Sequence, residues 1–189
     1  MDLVLIRHPA VAVDEGVCYG QSDVPLARDA RASAHEIDAR MRSLDVPACV
    51  DGWHTSPLRR CALLAEALGA ARIDARLSEL HFGAWEGRAW NDIDRALIDA
   101  WAADIEHARP HGGESLAQFG ERVTGWFDET CATASNAVHV VAHAGVVRVL
   151  VAYLLRVDRA SVLQWPIAFG GIVQLRRFGT GWGLVRWNG

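Results

Sequence analysis

No stretch of this chain is apolar for long enough to cross a bilayer. The longest candidate after the first few residues, Ala144 to Leu155, is too short and carries Arg148. Nor is there an excess of positive charge: the formal net charge is −4. That excludes a general attraction to nucleic acid or to an anionic membrane, so any anion site has to be built locally. The four cysteines, Cys18, Cys49, Cys61 and Cys131, are scattered and form no C-x-x-C pair. They read as free thiols of a reducing compartment, not as a disulfide frame or a zinc site. The histidines form no H-x-H or H-E-x-x-H set, so no metal is expected. No signal peptide is expected either, because Arg7-His8 cuts the first apolar run short. The expected setting is cytoplasmic.

What the chain does have is apolar content. Hydrophobic residues make up 51% of its 189 positions, which suits one globular domain over 1–189 with a substantial core. No internal repeat, low-complexity tract or linker divides it. The first ten residues set the frame. Leu3 to Ile6 is a short, partly β-branched run, the pattern of a strand buried on both faces. Pro9 cannot donate to a sheet ladder, so the strand ends at Arg7-His8. Ligands of open α/β sheets bind at the carboxyl ends of the strands, which puts a cation and an imidazole side by side at that edge.

After a loop from Val11 to Pro25, Ala27 to Leu44 reads as a helix and Cys49 to Thr55 as a weak strand. Ser56-Pro57 predicts a helix from Pro57 to Leu68 with Ser56 as its N-cap. An edge strand is expected at Ile73 to Ala75, an ordered loop at Leu77 to Gly87, and a helix from Arg88 to His107. Pro110-His111-Gly112-Gly113 breaks the chain, and Ser115 with Gln118 forms a capping-box pattern for the next helix. Ala137 to Ala142 is a second apolar strand, ending at His143, and Gly145 to Leu155 is helical. Gly171 to Trp187 reads as a β-hairpin around Gly179-Thr180-Gly181. The alternation predicts a three-layer α/β/α sandwich with a mostly parallel central sheet and a C-terminal β-hairpin.

Three features point to chemistry. Arg59 and Arg60 fall in the first turn of a predicted helix, where the helix dipole disfavours cations. A bound anion would reverse that penalty for whichever of the two faces it. His143 ends its strand as His8 ends the first, and strand-end residues of one parallel sheet share an edge. Glu79 sits in the ordered loop, where a carboxylate taken alone is unremarkable.

At this point the pattern resembles a known family. Leu5-Ile6-Arg7-His8 resembles the R-H signature of the histidine phosphatase superfamily, which has the phosphoglycerate-mutase-like fold. Ser56-Pro57-Leu58-Arg59-Arg60 is similar to its S-x-L-x-R block, which assigns the phosphate arginine to Arg60. Leu77-Ser78-Glu79-Leu80-His81-Phe82-Gly83-Ala84-Trp85-Glu86-Gly87 resembles its L-x-E-x-x-F-G-x-W-E-G block. Val141-Ala142-His143-Ala144-Gly145 resembles its V-x-H-x-G block. The chain departs at Pro9-Ala10, where many members have glycine and then an acidic residue.

The resemblance implies an enzyme without a cofactor that acts on a small phosphorylated metabolite, as a monomer or homodimer. His8 would attack phosphorus and form a phosphohistidine. Arg7, Arg60 and His143 would hold the phosphate oxygens, and Glu79 would serve as acid and then base. Within the family, Gly16 to Leu26 and Gly112-Gly113-Glu114-Ser115 resemble α-ribazole phosphatases, which implies a nucleoside-like 5′-phosphate as substrate. Tyr19, Gly20, Gln21, Trp85 and Ala144 would then contact it, with Tyr19 and Trp85 stacking on the base and Trp90 confined to packing. A phosphoglycerate mutase or a broad-specificity sugar-phosphate phosphatase is the alternative. Against the mutase, Glu79 to Glu114 is short and poor in lysine. A non-catalytic binding protein is disfavoured because all five reactive residues are present.

Overall fold

The first strand, β1 (Asp2–Arg7), shows why its apolar run is unbroken. Leu3 and Leu5 enter one core while Val4 and Ile6 enter another, so both faces are covered. Each such side chain contributes about 1.5–3 kcal/mol on burial, which ties the strand down firmly just before Arg7 and His8. The computed structural model describes residues 1–131, 134 and 136–189.

Following β1 come α1 (Ala30–Ser43), β2 (Trp53–Thr55), α2 (Arg59–Leu68) and β3 (Ala71–Ile73). Next are α3 (Arg95–Ala103), α4 (Leu116–Cys131), β4 (Val138–Ala142), α5 (Ala144–Leu155) and α6 (Arg159–Leu163). The chain closes with β5 (Ile172–Phe178) and β6 (Gly181–Arg186). The six strands form one sheet in the order β3-β2-β4-β1-β5-β6. The first four of that order pair in parallel, and β5 and β6 add an antiparallel hairpin against β1. Ile37, Met41, Cys61 and Leu64 of α1 and α2 pack on one face; Phe119, Val123, Val147 and Leu150 of α4 and α5 pack on the other. This is the expected three-layer arrangement. Among the described residues, no helix is long and apolar enough to cross a membrane.

The register matters most at the carboxyl edge. Arg7 lies opposite Ala142 in the β1–β4 pairing, and the His8 amide continues the ladder by donating to the Ala142 carbonyl at 2.9 Å. His8 and His143 therefore leave adjacent strands at the same level.

Several local expectations shift. The helix predicted from Pro57 starts at Arg59, and Ser56 is not its cap. Asp23 performs that role from another loop, accepting from the Arg59 amide at 2.8 Å, while Ser56 Oγ accepts from Leu58 N and bonds His143. The edge strand ends at Ile73 because Asp74 starts a 3₁₀ turn there. The long helix expected over 88–107 is divided. A 3₁₀ turn occupies Trp90–Asp92, and α3 begins anew after Asp94, whose side chain accepts from Ala96 N. The short α6, capped by Asp158, is an element that the sequence pattern does not signal. The Ser115–Gln118 capping box forms with both reciprocal bonds, at 3.0 and 3.1 Å.

Candidate active site

His8 is 2% exposed, and its Nδ1 lies 2.7 Å from the Pro9 carbonyl. A carbonyl only accepts, so Nδ1 carries the proton and Nε2 is left with its lone pair. The loss of the usual glycine at position 9 does not disturb this, because the contact uses the backbone oxygen. Burial lowers the His8 pKa to about 3, the charges of Arg60 and Arg7 act in the same direction, and the Pro9 bond opposes them. His143 is fully buried, with its ring centroid 5.3 Å from that of His8 and Nε2 2.8 Å from Ser56 Oγ. Its pKa is held well below the usual range, first by burial and then by His8, Arg60, Arg122 and Arg7. The site thus holds two neutral imidazoles beside two cations.

Those cations are spare. Arg60 is fully buried, donating Nη2 to the Gly20 carbonyl at 2.6 Å and Nη1 to the Ser22 carbonyl at 2.8 Å. Arg7 donates Nη1 to the Ile167 carbonyl and stacks its guanidinium 3.8 Å from the centre of the Phe169 ring. The Nε of each arginine is buried without a partner, and among the described residues neither guanidinium pairs with a carboxylate. A buried charge without a counter-ion is costly, and the buried Arg60 with the half-buried Arg7 beside it could hold a ligand anion. Arg59, by contrast, is exposed.

Glu79 lies at the start of α5, where Oε2 accepts from the Gly145 amide at 3.1 Å and Oε1 from Leu80 N at 2.9 Å. A Cβ on residue 145 would fall 2.1 Å from Oε1, so a side chain there would displace the Glu79 carboxylate. The loop behind Glu79 is held by Arg122, which donates to the carbonyls of Arg76, Ser78 and Glu79 at 2.7–2.9 Å. Glu114 completes this clamp, accepting from Arg122 at 2.7 and 2.8 Å.

A cavity of about 630 Å³ opens over Arg7, His8 and Glu79, while the fully buried Arg60 and His143 lie behind its wall. Arg7, His8, Glu79, Tyr19, Gly20 and Ala144 line it, as do Phe82, Trp90, Trp101, Leu116, Phe119 and Arg148. Three sequence expectations are corrected here. Trp85 is 1% exposed and packs edge-on against Trp101 and His111, so it cannot stack on a substrate. Trp90, assigned to packing alone, reaches the cavity wall together with Trp101. Gln21 does not line the cavity either; its side-chain amide donates to the Glu79 carbonyl at 2.9 Å and ties two loops together. Arg122, Arg148 and Phe169 were not singled out. Arg148, an arginine within an apolar helix, carried the one usable signal.

The sequence pattern of the histidine phosphatase superfamily (branch 1) matches residues 3–189. The chain is 33% identical over 187 residues to a glucosyl-3-phosphoglycerate phosphatase of Mycolicibacterium vanbaalenii, covering 89% of this chain and 79% of that protein. It is 28% identical over 180 residues to an adenosylcobalamin/alpha-ribazole phosphatase of Salmonella typhimurium, covering 90% and 87%. Among solved structures, an alpha-ribazole phosphatase from Shigella flexneri superposes with a TM-score of 0.86 at 25% identity, covering 100% of this chain and 96% of that one. A mycobacterial glucosyl-3-phosphoglycerate phosphatase does so with a TM-score of 0.81 at 30% identity, covering 99% and 98%. With that match spanning nearly its whole length, the chain belongs to the histidine phosphatase superfamily and is a phosphatase.

Proposed function

We propose that residues 1–189 act as one unit that hydrolyses a phosphomonoester through a phosphohistidine on His8. The observation that carries this is the His8 tautomer: Nδ1 is committed to Pro9 O, and a neutral Nε2 is left beside two unpaired guanidiniums. The Nε2 lone pair forms the N–P bond as the ester P–O bond breaks, and Glu79 gives its proton to the departing alkoxide. Water then attacks phosphorus, Glu79 takes the proton, and the N–P bond breaks to release phosphate. Arg7, Arg60 and His143 stabilise the charge on the phosphoryl oxygens in both steps.

Arg60→Ala is expected to lower kcat/KM by about 10²–10³-fold, as loss of one donor to a developing charge does. Arg59→Ala should leave kcat/KM nearly unchanged, since that side chain is exposed. Comparable losses in both would remove the distinction between them.

For the substrate, a nucleoside-like 5′-phosphate such as α-ribazole 5′-phosphate fits the wall made by Phe82, Trp90 and Trp101. Those rings suit a planar, apolar leaving alcohol by stacking. A second reading has its own observation. Arg148 lines the same cavity, bonded only through Nε and Nη2 to the Trp165 carbonyl, and offers a cation to a substrate carboxylate such as that of glucosyl-3-phosphoglycerate. Steady-state kinetics on both esters decide. The first reading expects the higher kcat/KM with α-ribazole 5′-phosphate, and no interconversion of 3- and 2-phosphoglycerate when 2,3-bisphosphoglycerate is present. A preference for glucosyl-3-phosphoglycerate that disappears in Arg148→Ala would establish the second.

A further inference from the structure

Glu86 has no part in the mechanism above, yet it is one of the most heavily bonded carboxylates in the protein. Its side chain is 10% exposed. Oε1 accepts from Gln21 N at 3.0 Å and Phe82 N at 2.9 Å; Oε2 accepts from Ser22 N at 2.7 Å and Ser22 Oγ at 2.6 Å. Among the described residues no arginine pairs with it, and the basic group within ion-pair distance is His81 Nε2 at 3.9 Å.

The other side of the same loop faces Arg60. The Gly20 carbonyl, which accepts from Arg60 Nη2, belongs to the same peptide unit as the Gln21 amide that Glu86 Oε1 accepts from. Carboxylate and guanidinium therefore grip opposite ends of one planar group, whose dipole runs from one charge to the other. Such a chain polarises itself, each bond strengthening the next. Gly20 makes the approach feasible. A Cβ there would fall 2.4 Å from Glu86 Oε1 and 2.8 Å from the Leu80 carbonyl, and its φ of +34° already favours glycine.

We propose that Glu86 is the positioning residue for Arg60, paired with it through the Gly20–Gln21 peptide instead of by contact. This rests on the reading that Arg60 holds the phosphate. The relay aims the guanidinium and offsets its charge while leaving Nε unengaged for the phosphoryl group. A direct Glu–Arg fork would take up the donors that the substrate needs.

A double-mutant cycle tests it. Glu86→Gln keeps the shape but removes the charge, and its NH₂ deprives either the Gln21 and Phe82 amides or the Ser22 amide of an acceptor. It should lower kcat/KM for p-nitrophenyl phosphate, and weaken competitive inhibition by inorganic phosphate, by roughly ten- to a hundredfold, the range of energies shared by coupled groups. In an Arg60→Ala background the same substitution should change both by less than about threefold. Equal fold losses in the two backgrounds would overturn the proposal, because Glu86 would then act on the fold or on the Glu79 loop through Phe82. Should Glu86→Gln fail to fold, Ser22→Ala removes only one of the four bonds. Its smaller loss should likewise vanish without Arg60, and a loss that persists there counts against the relay. A wild-type-like Arg60→Ala would fail differently, by removing Arg60 from the phosphate site.

Discussion

Rapid quenching during turnover of a labelled phosphomonoester is expected to trap phosphate on the protein, stable in base and lost in acid, and His8→Ala should trap none. Removing a covalent nucleophile abolishes nearly all of the rate enhancement, on the order of 10⁶-fold in well-dissected cases. The reason to assign the nucleophile to His8 and not His143 lies in what each ring nitrogen touches. His8 gives Nδ1 to the Pro9 carbonyl at 2.7 Å and keeps Nε2 free. His143 commits Nε2 to Ser56 Oγ at 2.8 Å. His143→Ala should therefore slow the reaction yet still accumulate label on His8. The pH dependence has a definite sign. Because the His8 pKa is depressed to about 3 in the free enzyme, the reactive neutral form is present at any higher pH. With p-nitrophenyl phosphate, whose leaving group needs little help from the Glu79 acid, phosphorylation corrected for substrate ionisation should then be flat between about pH 5 and pH 8, the range in which an unperturbed histidine would titrate. Label retained in His8→Ala and lost in His143→Ala would reverse the assignment.

The parts of this site that could be read in advance share one physical cause. β1 and β4 are buried on both faces, so each appears as an apolar run, and its end is marked by the first polar side chain. Parallel pairing then places those ends together, which is why His8 and His143 were legible as a pair. Arg60 needed more. Two adjacent arginines at a helix start are equivalent by dipole arguments, and the resemblance to the S-x-L-x-R block separated them; the structure buries Arg60 and exposes Arg59. Aromatic residues in irregular segments have no period to reveal which way they face. Hence the sequence alone points Trp85 at substrate and Trp90 into packing, whereas Trp85 is buried and Trp90 reaches the cavity. The clamp of Arg122 and Glu114 behind Glu79 joins a loop to a helix by side-chain bonds to backbone carbonyls. No spacing encodes such contacts, because they depend on where a loop crosses a helix.

Glu79 should matter in proportion to how much the leaving group needs a proton. Its two oxygens are aimed by the Leu80 and Gly145 amides, and each keeps a second lone pair where a proton can sit. A ribose 5′-alkoxide is a very poor leaving group, with a conjugate acid pKa of about 15, so an acid in the transition state should help by roughly 10²–10⁴-fold. A p-nitrophenolate, at about 7, departs almost unaided, and the acid contributes little to that step. Glu79→Gln keeps the length and the acceptor for one backbone amide but cannot transfer a proton. It should slow phosphorylation of His8 by alkyl phosphates by about two orders of magnitude or more, and by p-nitrophenyl phosphate only slightly. Steady-state rates mix this with the second step, where the same carboxylate serves as base for water. The first step must therefore be timed alone, as a single-turnover burst of labelled enzyme or of released p-nitrophenolate. Dephosphorylation, which does not depend on the original leaving group, should be slowed equally after either substrate. Equal loss on both substrates in the burst would mean that Glu79 is not the acid, and that the cluster at the start of α5 only shapes the cavity.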